Sequence, residues 1–99
     1  VSNAIELIAA ERQRQITEEG WSVQGDDQHK ANHLAKAAVC YAMPDDIRQA
    51  IIWNITLRYR IWPWAERFWK PSPDNRIREL VKAGALIVAE IERLQRAEK

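Results

Sequence analysis

Between Ile77 and Leu94 apolar residues recur every three or four positions, at Ile77, Leu80, Val81, Gly84, Ile87, Val88, Ile91 and Leu94. A period near 3.6 held for about five turns demands an amphipathic helix. This face is expected to be continuous core, with Asp74 capping the start. Glu79, Ala83, Leu86 and Glu90 form a neighbouring stripe, less polar than a fully solvated face. The helix is therefore expected to pack against two neighbours, which the rest of the chain must supply. At 99 residues the chain is too short for two cores, so a single helical domain over 1–99 is expected.

Two further helices are legible. Asn3 to Glu19 lacks Gly and Pro and brings Ile5, Ile8, Ala9, Arg12 and Ile16 near one face, with Ser2 or Asn3 able to cap it. Gly20 ends this helix, and Trp21 to Gly25 reads as a loop. Asp26 and Asp27 can cap a second helix whose apolar positions, Leu34, Ala35, Ala38, Val39, Tyr41 and Ala42, are mostly small. Such a surface admits close approach of another helix, and Pro44 stops it. Asp45 and Asp46 can start a short helix. From Trp53 to Ile61, however, apolar and polar residues alternate with period two, so a short strand or hairpin at 53–61 competes with a helix running from Asp45 to about Tyr59. Trp62-Pro63-Trp64 through Pro71-Ser72-Pro73 reads as an irregular connection rich in Trp and Pro.

Composition excludes more than it selects. Fifteen Lys and Arg against fourteen Asp and Glu leave a net charge of +1, so nothing points to nucleic acid, a membrane surface or an acidic partner. One cysteine permits no internal disulfide, and no long apolar or signal-like run opens the chain, so a cytoplasmic location is expected. Glycine-rich phosphate loops and nucleophile elbows are absent from a sequence with three Gly. Cys40 lies on the small-residue face of the second helix, where a packing role is expected. Two His and one Cys make no zinc spacing.

The acidic residues leave two readings open. Glu11, Asp27, His29, His33 and Glu79 could gather oxygen and nitrogen ligands from several helices around Mg²⁺, His29 and His33 sharing a face at i and i+4. Alternatively the aspartates are caps and the glutamates solvated surface. Arg12 interrupts an apolar face and needs a partner, either Glu79 or another carboxylate, or a phosphate group. Trp21 is a loop plug or a stacking platform for a base. Trp62, Trp64 and Trp69 form a lid on the core or a contact surface.

Several strings together resemble a family of small proteins encoded by phages and prophages: Glu11-Arg12-Gln13-Arg14-Gln15, Glu19-Gly20-Trp21, Asp26-Asp27-Gln28-His29, Leu34-Ala35-Lys36-Ala37-Ala38 with Tyr41, Trp62-Pro63-Trp64, Trp69-Lys70-Pro71, Leu80-Val81-Lys82-Ala83, and Ala89 to Leu94. The resemblance covers nearly the whole chain, and the helices are distantly similar to the MazG-like all-α nucleoside triphosphate pyrophosphatases. Those enzymes hydrolyse the bond between the α and β phosphates with Mg²⁺ held by acidic pairs on two helices. The corresponding positions here are His33 with Lys36 and Glu79 with Lys82, so one carboxylate of four remains. Two lysines there repel a dication.

The resemblance implies an all-α, MazG-like bundle and a phage-type nucleotide-binding or pyrophosphohydrolase-like protein with a degenerate metal site. It would use Arg12, Gln15 and Trp21 as substrate contacts, with Mg²⁺ expected only together with nucleotide. The rival reading is a non-catalytic module that binds a host or phage protein through Trp62, Trp64 and Trp69. Under either, a homodimer is expected through the Ala-rich second helix and the stripe Glu79, Ala83, Leu86 and Glu90.

Overall fold

A computed structural model describes residues 3–18, 32–52, 61–64, 69–72 and 74–98. These form four helices and no strand: α1, Ala4–Glu18; α2, His33–Ala42; α3, Asp45–Ile52; and α4, Arg76–Ala97. The chain is thus all-α over its described part, as the periodicities predict. The strand or hairpin considered for 53–61 falls almost entirely outside the described residues, as do Trp21, Asp26, Asp27 and His29.

Local chemistry fixes the helix ends. Asn3 caps α1: its Oδ1 accepts from the Glu6 N–H at 2.8 Å, and its own amide donates to Glu6 Oε1. Asn75, not the expected Asp74, caps α4 by accepting from the Arg78 N–H at 3.0 Å. The second helix begins later than Asp26 and Asp27 suggest. Asn32 takes a left-handed backbone (φ 64°, ψ 27°) immediately before His33, so no helix continues through it. His29, expected to share a helical face with His33, lies outside the described residues.

α4 packs against both α1 and α2. Its apolar residues are nevertheless sorted differently from the expectation. Glu79, Ala83, Leu86 and Glu90 are buried, and Ala83, Leu86 and Ala89 join Leu34, Ala37, Ala38 and Tyr41 of α2 in the core. Of the stripe expected to be core, only Val81 is buried. Ile77, Leu80, Ile87, Ile91 and Leu94 keep 67, 45, 49, 50 and 46% of their surface exposed. Two apolar stripes of equal period compete for the inside, and the one with alanines wins because α2, also rich in Ala, can approach it closely.

The α1–α4 contact is equally unlike its apolar pattern. Buried on α1 are Glu11, Arg12 and Gln15, whereas Ile8 and Ile16 are half-buried and Ile5 and Ala9 exposed. The helices approach closely at Gly84, where an added Cβ would lie 2.7 Å from Ile8 Cδ1. Gly84 is therefore the slot that Ile8 fills. Because α1 and α2 are neighbours of α4 within one chain, the small-residue faces on which a homodimer was expected are used up internally.

Candidate functional site

Of the three buried carboxylates, Glu90 pairs with Arg93 of its own helix, while Glu11 and Glu79 gather arginines from other elements on two different sides of α4. Adjacent residues on a helix point about 100° apart, so Arg78 faces α1 while Glu79 faces α2 and α3.

On the first side, Glu11 is almost fully buried and accepts from Arg14 Nε and Nη2 at 2.8 Å each, from Gln15 Nε2 at 3.2 Å, and pairs with Arg78 Nη2 at 2.6 Å. Burial pushes its pKa up, but the hydrogen bonds and charges of Arg14 and Arg78 outweigh that and hold it below the ordinary carboxylate value. Gln15 is thus a buried partner of Glu11.

On the second side, Glu79 accepts from Arg48 Nη1 at 3.0 Å and Nη2 at 3.3 Å, from Arg76 Nη1 at 3.4 Å, and from the Ser72 N–H at 3.2 Å. Burial again raises its pKa, and Arg48 foremost, with Ser72 and Arg76, brings it below the ordinary value. The two arginines also serve α2. Arg48 Nη2 donates to the carbonyls of Cys40, Tyr41 and Met43 at 3.3 Å, and Arg76 donates to those of Tyr41, Ala42 and Met43. These carbonyls are the groups a helix C-terminus leaves without intrahelical partners, at the negative end of its dipole. Glu79 offsets part of the positive charge so gathered. Sequence reasoning missed Arg48 and Arg76; the i,i+3 spacing of Arg76 and Glu79 was the available signal.

Arg12 does not reach Glu79. Its Nε donates to Glu92 Oε1 at 3.3 Å, so the partner is another carboxylate. Glu92 keeps 47% of its side chain exposed, so this pair is not a fully buried one. Loss of the Arg12–Glu92 bond and of the packed Arg12 stem should make Arg12→Ala cost at least about 1–2 kcal/mol, read by urea unfolding.

Trp62, Trp64 and Trp69 are half-buried and pack against the core with Tyr41. Tyr41 lies 4.7 Å from Trp69 and 5.9 Å from Trp62, centroid to centroid, while Trp62 stands edge-to-face with Trp64 and Trp69 at 5.4 and 5.0 Å. Arg48 sits 5.5 Å from the Trp69 ring, joining this cluster to the Glu79 cage. Lys82 lies over Tyr41 and donates to Lys70 O at 2.7 Å and Ser72 Oγ at 3.3 Å, while the Lys70 N–H donates to the Tyr41 hydroxyl. Lys82 thereby ties residues 70–72 down over the core.

Of the residues expected to gather around a metal, the structure describes Glu11, His33 and Glu79. It holds Glu11 and Glu79 in separate arginine cages and leaves His33 half-buried at the start of α2. Among the described residues no three His, Cys, Asp or Glu side chains lie close enough to share an ion. Of the expected substrate contacts, Arg12 and Gln15 are engaged as above, and Trp21 lies outside the described residues. Cys40 is buried, and burial raises its thiol pKa to about 11, which keeps it an unreactive thiol at neutral pH. No helix among the described residues is long and apolar enough to cross a membrane. No protein-family model matches the chain, and no curated protein or solved structure matches it either.

Proposed function

We propose that the protein is a non-catalytic helical module that presents apolar surface to another protein in the cytoplasm. The observation that carries this reading is the open face of α4, where five large aliphatic side chains keep about half or more of their surface exposed. Glu11 and Glu79, the carboxylates best placed to serve a metal, have structural work instead: each pairs with two arginines. A cation entering either cage would have to displace guanidinium groups already hydrogen-bonded to both carboxylate oxygens. The contact surface in this reading is α4 rather than the tryptophans, whose rings are partly used in covering the core.

The competing reading, nucleotide binding or pyrophosphate release of the MazG-like kind, is tested on the full chain. Thermal melting and pyrophosphate release are measured with the common ribo- and deoxyribonucleoside triphosphates, with and without Mg²⁺. A nucleotide held at a hundred times its Kd would stabilise the fold by about 2.7 kcal/mol, which for a domain of this size raises Tm by roughly ten degrees or more. We expect no shift and no release. Mg²⁺-dependent release of pyrophosphate, or a large Tm rise with any nucleotide, would sink the proposal.

A further inference from the structure

We infer that the open face of α4 is covered by the same face of a second copy of this chain, helix against helix. This rests on the reading of the protein as an interaction module and names the partner.

The spacing carries the argument. Ile77, Leu80, Gly84, Ile87, Ile91 and Leu94 follow one another at intervals of three, four, three, four and three. That alternation, with an average of 3.5, is the seam of a helix that packs on another helix along its length. In the two outer heptads Ile77 and Ile91 fall at the first apolar position and Leu80 and Leu94 at the second, the combination that favours two strands, and Gly84 and Ile87 take these positions between them. Among the described residues this seam is left open except at Gly84, against which Ile8 of α1 packs. α2 takes the side of Glu79, Ala83, Leu86 and Ala89, and α1 takes the side of Arg78 and Glu92. At about 100° per residue the seam is the remaining third of the helix surface.

Its size and charge suit a second copy. Its five exposed aliphatic side chains offer on the order of 500 Å² per chain. Two such faces together remove about 1,000 Å², the area a specific interface has to reach. No charged residue occupies the seam between Ile77 and Leu94, and a net charge of +1 puts little repulsion between copies. A seam of like aliphatic residues at heptad spacing is complementary to itself, as a two-fold interface requires.

The test compares the full chain with Leu80→Lys/Ile87→Lys and, as a control away from the seam, Val39→Lys, whose side chain is exposed on α2. Light scattering between micromolar and a hundred micromolar reads the mass, and far-ultraviolet circular dichroism reads the helices. The parent and Val39→Lys should have twice the mass of the chain, and the double variant half of that with its helical signal kept. A parent that stays monomeric, or a double variant that stays dimeric, overturns the pairing. If the double variant loses its helices, Ile87→Cys with a short thiol cross-linker decides, since Cys40 is buried. A covalent dimer is expected from Ile87→Cys and none from Val39→Cys; equal or absent cross-linking at the two overturns it. A monomeric parent with no response to nucleotide removes the pairing alone, whereas Mg²⁺-dependent pyrophosphate release removes the module reading beneath it.

Discussion

Glu79→Ala should lower the unfolding free energy by about 3–5 kcal/mol, the range for breaking a buried ion pair from one side. The reason is what the substitution leaves behind. Arg48 is buried on α3 with its charge directed at Glu79, and without the carboxylate both guanidinium groups converge on the carbonyls at the end of α2 with nothing to balance them. Those arginines join α2, α3 and α4, so the loss should appear in denaturant unfolding as a lower midpoint, with helix α2 the first to lose amide protection in hydrogen exchange. The same cage sets an acid response. Because Glu79 titrates below its ordinary value when folded, the stability it adds is complete above the unfolded pKa and fades as pH falls through the folded one. Glu11 acts in the same direction. The parent should therefore lose stability as pH drops below about 4.3, the ordinary glutamate value, and Glu79→Gln should show a shallower loss over that range. Equal slopes for parent and variant would remove the cage from the account.

Leu86→Ala is expected to cost about 2–5 kcal/mol, toward the upper end, as a cavity in the core. Leu86 has no exposed surface and shares its core cluster with Leu34, Tyr41, Ala37, Ala38, Ala83 and Ala89, and the alanines are too short to move in and fill the space. Its sequence neighbour Ile87 lies on the open face, and in the folded monomer Ile87→Ala should change stability by no more than about 0.5 kcal/mol. Measured at concentrations too low for association, the contrast between these two adjacent residues decides which stripe of α4 is inside. Comparable losses at both positions would restore the core expected from the apolar pattern.

That contrast also shows how far the sequence could be read. The extents of α1 and α4 follow from periodicity and from the absence of Gly and Pro breakers, and the Ala-rich composition of α2 correctly signals a close helix contact. Periodicity does not say which of two apolar stripes on α4 faces inward, because both repeat at helical spacing. The choice depends on the partner: α2 offers alanines, and alanines on α4 allow the nearer approach. The polar site was harder. Arg12 announced a need for a carboxylate, but Glu92 and Glu79 are both on α4, and only the angular position of each around that helix decides between them. Glu11 and Glu79 read equally well as metal ligands or as surface charges until Arg14, Arg78, Arg48 and Arg76 are placed beside them. Those contacts cross between elements, and no spacing within one helix encodes them, apart from Glu11 with Arg14 and Arg76 with Glu79. The left-handed backbone at Asn32, immediately before α2, is likewise a local choice that Asn tolerates but does not dictate.

As proposed, Glu11 and Glu79 serve as structural counter-ions rather than metal ligands, and Mn²⁺ reports on that directly, because its unpaired electrons broaden nuclear resonances near a bound ion. In a two-dimensional amide spectrum of the full chain titrated with Mn²⁺, the signals of residues 10–12 and 78–80 should broaden no more than those of exposed helix positions elsewhere. Selective broadening around Glu11, His33 and Glu79 at equimolar Mn²⁺, reversed by chelation, would contradict the cages and restore a metal site at this end of the bundle.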